Sequence, residues 1–172
     1  MEKRGKKAQG TMEVPFQMIF SLILIAIFIY AAFTGIKYFM ERADQAKIAQ
    51  FLADVDAKVG TAWQATEMTQ TYSFDVPKRV EMICFGDLSK SLNENVCPEF
   101  DVYKDQAVQK GANMFLCPPR KVYSVGAPIY HSIKCNGNPC VGFKQDIYCV
   151  KNDGKIAVTL EKKIGSSKVI LS

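Results

Sequence analysis

Six cysteines and a single histidine are the side chains whose types and spacing could do chemistry in this sequence. Cys84, Cys97, Cys117, Cys135, Cys140 and Cys149 all lie in the C-terminal part. Two chemistries compete for them. His131, Cys135, Cys140 and Cys149 form H-x3-C-x4-C-x8-C, a formal metal-ligand set. Structural zinc sites favour tight C-x2-4-C pairs at both ends, and only one loose pair is present here. An even number of cysteines confined to one region fits disulfides formed in an oxidising compartment. Six cysteines permit about 15 pairings, so connectivity is open. One local bridge is reasonable: Cys135-Asn-Gly-Asn-Pro-Cys140 consists of turn residues, which can bring its two ends within disulfide reach. The expectation is three bridges that staple a small domain, with no metal and no cofactor, and His131 as an ordinary surface or strand histidine.

No other reactive arrangement stands out. A thiol-redox enzyme would want C-x-x-C, which is absent. There is no Gly-rich phosphate loop, no H-E-x-x-H and no G-x-S-x-G. One histidine restricts any Ser-His or Cys-His scheme, and the acidic residues show no convincing pair. An enzyme is not expected. The net charge of +5 does not describe a nucleic-acid surface either, because Lys3, Arg4, Lys6 and Lys7 crowd one short tail. No N-x-S/T sequon occurs.

The elements that must carry the cysteines begin with a membrane span. The 23 residues 14–36 contain no charge. At 1.5 Å per residue they reach about 34 Å, enough to cross a hydrocarbon core of about 30 Å. Pro15 suits a first helical turn, where its missing N–H has no partner to lose. A signal-peptide apolar region is shorter, about 7–15 residues, and ends in a cleavage site. Here the run continues into a charged helical pattern. The basic tail keeps the N-terminus cytoplasmic and puts residues 37–172 outside.

Helical periodicity continues through residues 41–68. Ile48, Leu52, Val55, Val59 and Trp63 form one apolar stripe, expected to pack on the chain's own C-terminal domain. Asp44 with Lys47, and Asp54 with Lys58, place opposite charges on the exposed side. From Thr71 onward short β-branched and aromatic runs alternate with turn residues. Strands are expected at 72–76, 79–85, 100–103, 113–116, 121–125, 129–133, 142–150, 155–161 and 168–171. Segments 89–95 and 104–111 read as short helical turns. Asn152-Asp153-Gly154 is a strong hairpin signal. The fold class is therefore α+β: a long N-terminal helix, transmembrane then amphipathic, followed by a small disulfide-stapled antiparallel β-rich head. The expected divisions are a basic cytoplasmic leader (1–8), a transmembrane helix (9–36), an amphipathic helical stalk (37–70) and a β-rich extracellular head (71–172).

Lys6-Lys7-Ala8-Gln9-Gly10-Thr11-Met12-Glu13, running directly into the apolar segment, resembles the class III signal peptide of archaeal type IV pilin-like proteins. The resemblance covers about residues 6–36. It implies cleavage by a prepilin-type peptidase after Ala8, with Gln9 as the first mature residue and Glu13 as the fifth. It also implies assembly through the N-terminal helix, in which Glu13 takes part. A long helix followed by a β-rich head is similar to the pilin architecture. The resulting expectation is a structural subunit of a surface filament or related assembly, in contact with membrane lipid and with copies of itself or related chains, and not with nucleic acid. The alternative is a single-pass surface protein whose head binds a ligand or partner while the helix only anchors it. Cleavage and recovery in sheared filaments favour the first; an intact anchor favours the second.

Overall fold

The computed structural model describes residues 13–90, 92 and 96–172, the side chains of residues 13–15 excepted. The chain divides into two compact units between Glu41 and Arg42. One helix, α1 (Glu13–Gln64), contributes to both. Within the second unit it is followed by β1 (Met68–Asp75), β2 (Met82–Gly86), α2 (Phe100–Gln109), β3 (Met114–Cys117), α3 (Pro119–Tyr123), β4 (Tyr130–His131), β5 (Val141–Phe143), β6 (Ile147–Lys151), β7 (Lys155–Lys162) and β8 (Val169–Leu171).

The strands form two four-stranded sheets, ordered β1-β7-β8-β5 and β4-β3-β2-β6. Every pairing is antiparallel except β5 with β8, which is parallel. The α+β class, with its long N-terminal helix and stapled β head, is the observed one.

Packing explains the sequence pattern. The stripe on α1 is buried at Ile48, Leu52, Val55 and Val59, joined by Phe51 and Ala62, and Trp63 packs at its edge. It meets Phe74 of β1, Ile156, Val158 and Leu160 of β7, and Val169 and Leu171 of β8 in one core. The strand β7 alternates accordingly, with every second side chain inside. The central strands β2 and β3 read as continuous apolar runs because both of their faces are covered. Ile83, Phe85, Met114 and Leu116 point into the main core, while Cys84, Phe115 and Cys117 join a second cluster with Phe100 and Ala107 of α2. The rings of Phe100 and Phe115 meet edge to face at 4.9 Å.

Several local expectations differ from the structure. Residues 100–103 are helical, as the first turn of α2. Phe100, Tyr103 and Ala107 all pack into the second cluster, a helical spacing that the aromatic content of the run disguised. Residues 121–125 fall in and after α3, whose Pro119 stands in the first turn and whose Val122 is buried with Val125 close behind. The run 142–150 divides into β5 and β6, which belong to different sheets. Asn152-Asp153-Gly154 does not close a hairpin, because β6 and β7 also lie in different sheets. The Asn152 carboxamide instead donates to the carbonyls of Pro77 (3.0 Å) and Val80 (2.6 Å) and accepts the Gly154 N–H at 2.8 Å. The same turn chemistry that ends a hairpin here turns the corner between sheets, with Gly154 at φ 103°.

Candidate functional site

The apolar part of α1 is the first candidate, and it is built by composition alone. Pro15 lies in the first turn of the helix, and every side chain of residues 16–40 is exposed. Phe16, Phe28, Tyr30, Phe33 and Phe39 each keep 70% or more of their surface free. A helix apolar on all sides cannot be satisfied by one partner face; it needs lipid, or other helices, around its whole circumference. It is long and apolar enough to cross a membrane and lies near the N-terminus. The Thr34 hydroxyl is satisfied within the helix, donating to the Tyr30 carbonyl at 2.9 Å. Ala8 and Gln9 lie outside the described residues. Glu13 is the first residue of α1, and its side chain is likewise outside the description.

The cysteines form the second feature. Cys84 and Cys149 are directly opposite one another on β2 and β6 and are bonded, with Cα atoms 4.0 Å apart. Cys97, ahead of α2, is bonded to Cys117 at the end of β3. Cys135 and Cys140 close the short local loop expected from its turn residues. The formal metal set around His131 is thereby dispersed, because its three sulfurs belong to two different bridges. His131 on β4 instead places Nε2 3.0 and 2.9 Å from the two carboxylate oxygens of Asp56. Among the described residues, no group of three or more His, Cys, Asp or Glu side chains is placed to hold a metal ion.

This histidine is one of several polar ties between the second unit's part of α1 and the head. The Arg79 guanidinium donates to Asp44 at 3.1 Å, so Asp44 is engaged across the fold. The Gln45 carboxamide donates to the Gly126 carbonyl and the Trp63 indole to that of Ser167, each at 3.2 Å. Lys58 stands over the Tyr72 ring at 5.1 Å. The stretch 42–64 is thus held on the head by polar ties as well as by its stripe.

No family model, curated protein or solved structure matches the chain.

Hydrogen bonds from Ser89 hold the Asp87 carboxyl below its ordinary range. Lys144, then Lys163, do the same for Glu161. Burial pushes the Tyr148 phenol up. These three groups sit on separate elements. A cleft of about 620 Å³ between α1 and the end of β1 presents Lys47, Asp54, Asp75 and Lys78 above Phe51 and Phe74. Its charges have both signs. The feature that sequence reasoning missed is a second groove, where Tyr103, Tyr123 and Tyr130 come together. Their spacing carries no local signal, because tertiary packing of α2, α3 and β4 creates the cluster.

Proposed function

We propose that this chain is a pilin-like structural subunit of a cell-surface filament or related assembly, anchored and assembled through the apolar part of α1. The observation that carries the reading is the ordered pattern of basic residues, Ala8, Gln9, Glu13 and an uncharged run of 23 residues. A prepilin-type peptidase cuts after Ala8, removing all four leading bases and leaving an α-amino group on Gln9. The N-terminus is cytoplasmic and the head extracellular, in keeping with the basic tail and the three disulfides. The all-round exposure of residues 16–40 supports a helix that passes from lipid into a bundle of like helices.

Glu13 then becomes the one formal negative charge at the start of the apolar helix. A lone carboxylate among apolar helices is costly and protonates or finds a partner. The helix dipole supplies about 0.3–1 kcal/mol to an exposed acid at this end, too little alone. The amine of a neighbouring subunit's Gln9 is the fitting partner. Such a pair sets the axial register of packed helices, as a buried polar residue does in a coiled coil. Recovery of the chain in sheared surface filaments tests the assembly reading, and its absence from them while abundant in the membrane counts against it. Glu13→Val is expected to be inserted and processed but excluded from filaments; its normal assembly would sink the pairing.

A further inference from the structure

We propose that the tyrosine groove of the head is a binding site for a neutral saccharide unit. The groove measures about 410 Å³ and lies between α2 and the α3–β4 connection. Tyr103 and Gln106 come from α2, Tyr123 from the end of α3, and Tyr130 from β4, with Pro128 between them. None of its lining residues is charged, in a chain of which 23% is charged. The phenols of the three tyrosines and the Gln106 carboxamide make no hydrogen bond to other described residues. Four polar side chains that make no hydrogen bond to other described residues thus line one uncharged groove.

That combination matches the chemistry of a sugar ring. A pyranose presents a face of weakly positive C–H groups, which suits the negative face of an aromatic ring. Its hydroxyls both donate and accept, as phenols and a carboxamide do. A carboxylated or sulfated sugar would find no cation in the lining. The volume lies toward the small end of ligand sites, about 300–1,000 Å³, and so suits one or two rings. Proline-rich peptides also dock on aromatic grooves, but their proline carbonyls only accept, so the acceptor sites of the phenols and the carboxamide would stay unused.

The walls are already fixed. Ala127 and Ile129 are buried anchors on either side of exposed Pro128. The Gly126 N–H donates to the Tyr123 carbonyl at 2.8 Å, closing the turn after α3. The Gly126 carbonyl accepts from Gln45 of α1, and the Leu116 N–H donates to the Ile129 carbonyl at 2.8 Å. A ligand therefore meets a surface that needs little ordering on binding. Tyr123 keeps 67% of its surface exposed and can be changed without opening the core. The inference holds whether the chain stands in a filament or alone in the membrane.

The test uses the full-length chain in lipid nanodiscs, because an alkyl-glycoside detergent would present a competing sugar. Saturation-transfer NMR is run with maltose, cellobiose and mannobiose, with glucuronic acid as the charged control and a proline hexapeptide as the competing class. At least one neutral disaccharide should take up saturation at its ring C–H protons with a millimolar Kd, and glucuronic acid should bind no better. Tyr123→Ala should weaken binding about tenfold, and Tyr123→Phe, which keeps the ring, should fall between. Circular dichroism identical to the parent confirms that the variants are folded. The proposal is overturned by absence of transfer to all three disaccharides, by binding that Tyr123→Ala leaves unchanged, or by preferential binding of the proline peptide.

Discussion

Removing the three disulfides one at a time should destabilise the head in the order of the loops they close. Cys84–Cys149 spans 65 residues, Cys97–Cys117 spans 20 and Cys135–Cys140 spans 5. The loss of closure entropy in the unfolded chain gives about 4, 3 and 2 kcal/mol respectively. The longest loop contains the other two bridges, which shorten it to about 40 effective residues and lower its value by only about 0.4 kcal/mol. Packing differs little among the bridges: Cys84, Cys97, Cys117, Cys135 and Cys140 are buried and Cys149 is half-buried. Paired Cys→Ala variants keep each comparison free of an unpaired thiol. The chain carries its own reporter: its one tryptophan, Trp63, packs at the edge of the main core with its indole on Ser167. Urea unfolding of the full-length protein, followed by Trp63 fluorescence, should give the largest midpoint loss for Cys84→Ala/Cys149→Ala and the smallest for Cys135→Ala/Cys140→Ala. If the five-residue bridge proves as costly as the 65-residue one, loop closure is not what these bridges contribute.

Gly60→Ala should stabilise the head by about 0.5–1 kcal/mol in the same assay, because Gly60 is inside α1 and an added methyl meets nothing within 4 Å. Tyr148→Phe should be neutral or stabilising by up to about 1 kcal/mol: the buried hydroxyl has no partner among the described residues, while the ring's stacking on Phe85 at 5.4 Å is retained. Asp87 titrates below the usual carboxylate range, so its contribution to stability is fully present above that range and is lost as pH falls through the lowered value. It is exposed, so the effect on stability is small, and an NMR titration is the better readout. Ser89→Ala should move the Asp87 midpoint up toward an ordinary carboxylate, and an unmoved midpoint would refute the assignment.

Features written in local periodicity were legible from the residues. The charge-free run gave a helix long and apolar enough to cross a membrane, the stripe through Ile48 and Val59 gave the packed face of α1, and the turn residues between Cys135 and Cys140 gave one bridge. What local pattern could not supply was partner choice. The Cys84–Cys149 pairing depends on the register of β2 against β6, which joins strands far apart in sequence. Asn152-Asp153-Gly154 announced a turn correctly and its neighbours incorrectly, because a turn motif does not say whether the chain returns to the same sheet. Aromatic content made residues 100–103 resemble a strand, although Phe100, Tyr103 and Ala107 already had helical spacing. The tyrosine groove was invisible for the same reason as the sheet pairing: its three rings come from three separate elements.

The mass of the mature N-terminus tests the central claim most directly. Mass spectrometry of the chain extracted from its native membrane should find a protein beginning at Gln9, with all eight leader residues missing and no free thiol. A chain that retains Lys6, Lys7 and Ala8 ahead of Gln9 would contradict the account and leave the helix as an anchor alone.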